Sequence, residues 1–543
     1  MNKKIVIFGI ILSALMISSC VKDLDVTPQD PSKILAGNVY DNPEYMKQAL
    51  AKIYASFNIA GQSGSNADAD IAASDVNFFT TMRALWNLQE ITTDEAICGW
   101  GDVGIADLNT QTWSPSNPFL TALYQRLALS VTFANDFIKN AEGSSFPEAA
   151  QYVAEARFLR ALSYSYAIDL FGQFPFTTEA DGVGKFFPEI GTREEIFNYV
   201  ESELKDIETK LGAPRFSYPQ ADQAAAWMLP ARLYLNAEVY TGTARWADCK
   251  TYCDKVIGAG YTLATDYRQN FSADNDGRHN PEMIFAWEQD GVNTQGYVGT
   301  TFIIESSSDA QYIRAEDFHG LTSNTNWNGN RARIQFLDLL VDTLATYGNV
   351  PIPPSDPTFS QCDDKRVFLK MKKARNIPSP SSSGDYGIGV YKFTARNADG
   401  SRPANYNTAY ACTDFPVFRL ADAYMMRAEA LFRLGGAANI DAAVLDVNKI
   451  RERAYGNTSG NITSSALSLD FLIDERGREF YYEAQRRTDL VRFGKFTGGA
   501  YLWQWKGGVF SGASTSEHLD LFPIPGDELS ANPNYNGVNN PGY

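Results

Sequence analysis

Trp327 stands in TSNTNWNG, a stretch from Thr322 to Gly329 made otherwise of Thr, Ser, Asn and Gly. A tryptophan that serves a core normally belongs to an apolar run, because its ring is highly buried on average. Set among amides and hydroxyls, the ring suits a different task. A pyranose presents axial C–H groups that lie against an aromatic plane, while its equatorial hydroxyls point sideways to polar groups. Trp327 supplies the plane, and Asn324, Asn326 and Asn328 supply polar flanks. The alternative is a ring folded back to plug a gap between loop and scaffold. Trp100 in ICGWGD and Tyr297 in QGYVG share the Gly-rich polar setting, which favours displayed sugar platforms.

Other chemistries find less support. Asp94, Glu95, Asp102 and Asp107 surround Trp100 in sequence, and a glycosidase needs two carboxyls roughly 5–5.5 Å apart for retention or 6.5–9.5 Å for inversion. No nucleophile motif, metal-ligand cluster or phosphate-cradling glycine loop accompanies them, so the expectation is a protein without catalysis. In ADNDGRHNPE, Asp274, Asn275 and Asp276 precede Gly277 like the start of a calcium loop. The twelfth position from Asp274 is Phe285, where an EF-hand requires a bidentate Glu. Any calcium held by Asp274 and Asp276 is therefore structural, no cofactor is required, and the alternative is a turn capped by Asx side chains.

Cys249 and Cys253 share a helix face, but none of the three His completes a zinc spacing with them, so they read as buried free thiols. Cys362 and Cys412 are candidates for a disulfide in an oxidising compartment. A formal net charge of −17 argues against nucleic acid, whose binders carry basic patches.

The start, MNKKIVIFGIILSALMISSC, has a short basic segment, an apolar run from Ile5 to Ile17 and small residues before Cys20. That run falls short of the roughly 20 apolar residues a membrane-spanning helix needs, so residues 1–19 read as a signal peptide. Ile17-Ser18-Ser19-Cys20 resembles the bacterial lipobox, which implies a mature chain lipidated at Cys20. The acidic VKDLD that follows resembles the surface-export signal of some Gram-negative lipoproteins. A single lipid anchor on the outer membrane is the expectation.

The platforms need a frame. AAQYVAEARFLRALSYSYAIDLFGQFPF repeats apolar residues at three- and four-residue steps until Gly172 and Pro175 stop it. AAAWMLPARLYLNAEVYTG with ARWADCKTYCDKVIGAGYTL, and DFPVFRLADAYMMRAEALFRLG with IDAAVLDVNKIRERAYG, read as helix hairpins. Hairpins of small and aromatic residues are the tetratricopeptide pattern, in which stacked neighbours supply the core. The predicted fold class is all-α: a tetratricopeptide-like repeat scaffold with long irregular loops and a few short β pieces, such as TTFIIE, that build the ligand face. Loop-rich sequence at about 60–120 and 290–385 marks that face within one domain spanning 20–543. Its many aromatics argue against disorder.

FPVFRLADAYMMRAEALFRLGG, IDERGREFYYEAQRRTDLVRFGKF and LFPIPGDELSANPNYNGVNNPGY, with FLRALSYSYAIDLFGQFPF, NPEMIF and VYKF, resemble the SusD/RagB family of outer-membrane nutrient-binding lipoproteins over essentially the whole mature chain. NLQEITTDEAICGWGD, DGVNTQGYVGTTFII and TSNTNWNG sharpen the resemblance toward its starch-binding members. The resemblance implies that Trp100, Tyr297, Trp327 and Arg83 cradle a curved α-glucan of starch or maltooligosaccharide type. It also implies delivery to a SusC-like TonB-dependent transporter. Arg83 has an equal second reading, as a buried ion-pair partner of Glu90 or Asp94. Where the family has an amide soon after the first Trp, this chain has Val103 with Asp102 beside it, so polar contacts to glucose differ in detail. Dense charges of both signs from Glu475 to Arg492 suit ion-pair networks. Ala484 stands where the family usually has Gly.

Overall fold

The computed structural model describes residues 39–61, 69–71, 80–181, 186–341 and 358–543, so the leader, Cys20 and VKDLD lie outside the described residues. Its frame is a succession of helices, several opened by a side chain that supplies what a first turn lacks, since initial N–H groups have no intrahelical partner. Asn42 accepts from Glu44 N and Tyr45 N to open α1, Pro43–Asn58. Thr80 caps the short α2, Thr81–Trp86. Asn117, with Pro118 at the first helical position, opens α3, Pro118–Ala141. The longest predicted helix appears as α4, Ala149–Leu170, ending just before Gly172. Thr192 and Glu195 form a capping box on α5, Arg193–Ile207, and Asp222 caps α6, Gln223–Leu235. Helix α7 covers Trp246–Ile257.

The longer helices pack in succession: α1 on α3, α3 on α4, α4 on α5, α5 on α6, and α6 on α7. The chain then leaves the stack for a long excursion, bracketed by an antiparallel ribbon. That ribbon pairs Met283–Trp287 with Phe415–Arg419, Trp287 opposite Phe415 and Met283 opposite Arg419. The second strand runs directly into a returning helix, Leu420–Leu434, which packs against α7 and against its hairpin partner Ala437–Tyr455. Stacked helix hairpins with small β pieces are therefore the architecture.

Two expectations need correction. DFPVF, read as the start of a helix, is a strand: Phe415–Arg419 are all buried, and the helix begins only at Leu420. TTFIIE, read as β-like, belongs to helix α8, Thr300–Ser307. Every residue of α8 is buried, its Thr, Glu and Ser included, so its polar residues do not mark a solvent face, and an apolar run as short as Phe302–Ile304 does not distinguish strand from helix. A third reading is refined. The charged C-terminal segment is two helices, Leu469–Phe480 and Arg486–Arg492, separated by a break in which Tyr482 and Ala484 take φ of 64° and 57°.

That left-handed backbone explains why glycine suits position 484, since an L side chain there costs roughly 1–2 kcal/mol. Ala484→Gly is expected to stabilise the protein by about 0.5–1 kcal/mol after the extra chain entropy of glycine is set against it. A denaturant midpoint that falls instead would contradict this account.

The mixed charges pair as the spacing predicts. Arg419, 2 % exposed, reaches Glu282 Oε1 at 2.8 Å, Glu479 Oε1 at 2.6 Å and Glu483 Oε2 at 2.7 Å. Arg366 joins Asp364 and Glu475, and Arg486 clamps Asp94 through two 2.8 Å bonds. These bonds tie the C-terminal helices to the ribbon, to the excursion and to the segment that precedes Trp100. All five described cysteines are free, Cys362 and Cys412 included, so the disulfide is absent. Cys249 and Cys253 are buried thiols on α7.

The buried carboxyls set a pH profile. Burial raises Glu475 and Glu479, but facing guanidiniums (Arg366 for Glu475, Arg453 for Glu479) outweigh it and hold both at about 2. Their stabilisation is present above the usual 4.5 and lost as pH falls toward 2. Burial instead pushes Glu155 and Glu305 up to about 7 and Asp414 to about 8. Those groups favour the fold at low pH and withdraw that favour as pH climbs toward 8. The melting temperature is therefore expected to peak near pH ~4–5. A maximum at pH 7–8 in a calorimetric series would refute the balance.

Candidate functional site

A two-residue ladder brings the distant tryptophans together. Strand β1, Ile97–Cys98, pairs antiparallel with Asn330–Arg331, placing Cys98 opposite Asn330 and letting Gly99 N donate to Gly329 O at 2.9 Å. Trp100 and Trp327 follow from this register. Their ring centroids lie 6.3 Å apart with planes inclined at 50°, and Trp100 Nε1 donates to Trp327 O at 3.0 Å. Tyr297 continues the strip, 5.8 Å from Trp327 at 62°, and Tyr410 continues it again, 5.1 Å from Tyr297 at 45°. All four rings are half-buried, each with part of its surface open to solvent.

Gly329 makes the close approach possible. A Cβ there would sit 2.7 Å from Trp100 Nε1 and closer still to the ring carbons. Gly329→Ala is thus expected to displace the Trp100 ring and, if the strip is the binding surface, weaken ligand binding by tenfold or more, roughly the worth of one lost platform. A crystal structure of the variant with Trp100 unmoved would remove the premise.

Trp327 is held from below. The C-terminal turn of α8 accepts from consecutive N–H groups: Trp327 N to Glu305 O at 3.0 Å, Asn328 N to Ser308 O at 2.8 Å, and Gly329 N to Ser306 O at 2.8 Å. The asparagines serve the backbone more than the expected hydroxyl contacts. Asn324, Asn326 and Asn328 have φ of 53°, 65° and 53°, a left-handed region that Asn tolerates better than most residues. Asn326 Oδ1 accepts from Ala315 N, and Asn328 Nδ2 points to Asp385. Asn324, the exposed member, lies beside the Tyr297 side chain.

Arg83 lies beneath the strip rather than on it. It is 4 % exposed, its guanidinium 4.3 Å from the Phe302 ring and 5.9 Å from the Trp100 ring, and Nη1 donates to Tyr297 O at 3.4 Å. Its alternative as partner of Asp94 fails, because Arg486 holds that carboxylate. Glu90 faces Glu95 instead, and burial together with that neighbour pushes Glu90 well above the ordinary carboxyl range. Asp94 and Glu95 are therefore core residues. Asp102 and Val103 are exposed in the turn after Trp100.

The acidic turn lies elsewhere. Asp274 Oδ1 accepts from Ala398 N at 2.9 Å, and Asp276 accepts from Arg278 N and approaches His279 Nδ1 at 2.8 Å. Asn275, fully buried, bridges to Asp414 through both its amide atoms. Among the described residues no group of three or more His, Cys, Asp or Glu is placed to hold a metal ion. Sequence reading passed over Tyr410, Phe302 and Glu305. The signal for Glu305 was a lone carboxyl ending an apolar run; Tyr410 in NTAYAC had only its polar neighbours.

The architecture is a stacked-hairpin scaffold that carries a strip of tilted aromatic rings on its loops. The chain belongs to the SusD family, whose pattern matches residues 258–543. It is 35 % identical over 561 aligned residues to the starch-binding protein SusD of Bacteroides thetaiotaomicron, covering 97 % of this chain and 96 % of that one. Among solved structures it resembles surface glycan-binding protein A from Bacteroides fluxus, with a TM-score of 0.66 at 20 % identity, covering 92 % of this chain and all of that one. It also resembles surface glycan-binding protein A from Bacteroides thetaiotaomicron in complex with laminarihexaose, with a TM-score of 0.64 at 18 % identity over 92 % and 99 % of the two chains. At these identities the structures establish the shared fold.

Proposed function

We propose that this chain captures starch-like α-glucans at the cell surface by aromatic stacking, without catalysis, and hands them to a SusC-like TonB-dependent outer-membrane transporter. The observation that carries the reading is the tilt of the strip. Planes inclined at 50° and 62° along Trp100, Trp327 and Tyr297 suit a chain that curves from one sugar to the next, as an α-1,4-glucan does, better than a flat ribbon. The 35 % identity to a protein named for starch binding supports the same ligand class. Asp102, two residues after Trp100, and Asn324, three before Trp327, are exposed polar groups available to sugar hydroxyls.

Binding of this kind needs no cofactor, and calcium at Asp274 and Asp276 would act on stability alone. Anchorage to the outer membrane is assigned to lipid on Cys20; among the described residues no helix is long and apolar enough to cross a membrane. An affinity-gel series with starch, pullulan, dextran, laminarin, levan and xylan tests the ligand. Retardation by starch and pullulan is expected; retardation only by laminarin, levan or xylan would reassign the glycan, and shortened oligosaccharides after incubation would reopen catalysis. Co-purification from gently solubilised membranes tests the transporter, and recovery of this protein alone would count against it.

A further inference from the structure

The TSNTNWNG loop owes its posture to one buried side chain outside the strip. Four consecutive amides, Asn326 to Gly329, donate to the end of α8, and three of the acceptors are main-chain carbonyls of its last turn and cap. The fourth is the Glu305 carboxyl: Oε2 accepts from Asn326 N at 2.8 Å, and Ser308 Oγ, 3.1 Å away, divides its one proton between Oε2 and Glu305 O at 2.9 Å. Glu305 is fully buried, and among the described residues its Oε1 has no hydrogen-bond partner. Among the described residues no ion pair accounts for an acid here. Arg83, from α2, lies over Phe302 and bonds to Tyr297 O; Arg331 turns to Gly329 O and Ser382; Lys372 pairs with Asp309. The titratable groups facing Glu305 from the loop side are Tyr297 and, beyond it, Tyr410.

We propose that Glu305 is a positioning residue for glycan binding, which clamps the Trp327 loop through Asn326 N–H and makes the closed posture of that loop proton-linked. The proposal rests on the reading of Trp327 as a sugar platform. Burial raises the carboxyl from 4.5 to about 7, against the pull of its bonds from Asn326 and Ser308. An acid that holds its proton more tightly in the closed loop than in water favours closure at low pH. It withdraws that favour as pH climbs from 4.5 to about 7, after which the effect is constant. A neutral amide in the same place keeps the acceptor and removes the titration.

Hydrogen exchange of the 324–330 segment, corrected for the chemical exchange rate, reads closure without any sugar. In the wild type, protection is expected to fall between pH 4.5 and about 7. In Glu305→Gln it should be independent of pH and at least as high as wild type at pH 8. In Glu305→Ala, exchange should quicken by about tenfold, the scale of one lost buried hydrogen bond. Maltoheptaose titrations should follow: weaker binding by Glu305→Ala, wild-type or tighter binding by Glu305→Gln at pH 8. Unchanged protection in Glu305→Ala would overturn the clamp, and an unaltered pH profile in Glu305→Gln would overturn the proton linkage. Faster exchange with undiminished maltoheptaose binding would leave the clamp standing and sink the Trp327 platform instead. Should Glu305→Ala fail to fold, the Glu305→Gln and pH arms decide alone.

Discussion

Trp327→Ala is expected to abolish retardation by starch gels. One aromatic face buried under a sugar is worth on the order of 1–3 kcal/mol, so its loss weakens binding roughly ten- to hundredfold. Contacts to neutral sugars are individually weak, and that factor removes detectable binding. Affinity should change little with salt, because no charge pairing is involved. The two tryptophans should separate in stability. Trp100 lies on Gly329, near Arg83 and Phe302, and its Nε1 bonds to Trp327 O, so its truncation opens a gap as well as losing a platform. Trp327 uses its Nε1 on Asn324 O within its own loop. Trp100→Ala should therefore lower the melting temperature visibly, and Trp327→Ala much less. If Trp327→Ala melts several degrees lower and still binds starch, the ring is a plug.

How much of this was legible follows from where the information lies along the chain. The hairpin helices show their apolar residues at three- and four-residue steps because one face meets a neighbour and the other meets water. Thus Ala149–Leu170 was bounded to within a few residues by its own pattern. Helix α8 and the strand Phe415–Arg419 are buried on all sides and carry no such contrast, so their types were misread. At the site, aromatic rings among Gly and Asn were conspicuous, but nothing in spacing says that residues 100 and 327 are neighbours. That depends on a ladder two residues long. Depth was equally invisible: the sequence left Arg83 open between a glycan contact and a buried ion-pair partner, and it lies beneath the strip, while Asn324, Asn326 and Asn328 all take left-handed backbone. Residue type suggested the chemistry, and tertiary register decided which rings come together.

The largest effect on stability should come from Arg419, and it follows from the company the side chain keeps. Its guanidinium bonds to Glu282, Glu479 and both oxygens of Glu483, and lies 4.5 Å from the Phe480 ring. A buried pair adds little over a well-packed apolar core, but removing one partner leaves uncompensated charge, which typically costs about 3–5 kcal/mol. Three carboxyls lose their shared cation in Arg419→Met, so the upper end of that range is expected, and the strand–helix junction at Leu420 should loosen with it. Neighbouring Arg453 and Lys392 soften the loss without matching the geometry. The deficit should depend on pH in a definite sense. Glu479 is held at about 2 by its guanidiniums; with one removed its affinity for a proton rises, so acid relieves the variant while neutral pH penalises it. Arg419→Met should accordingly fall furthest below wild type at pH 7–8 and approach it near pH ~4.5. Urea titrations at the two pH values measure this directly. A loss under about 1 kcal/mol at pH 7, or a deficit that grows in acid, would mean that the carboxyls are satisfied without Arg419 and that the network is not what joins the C-terminal helices to the ribbon.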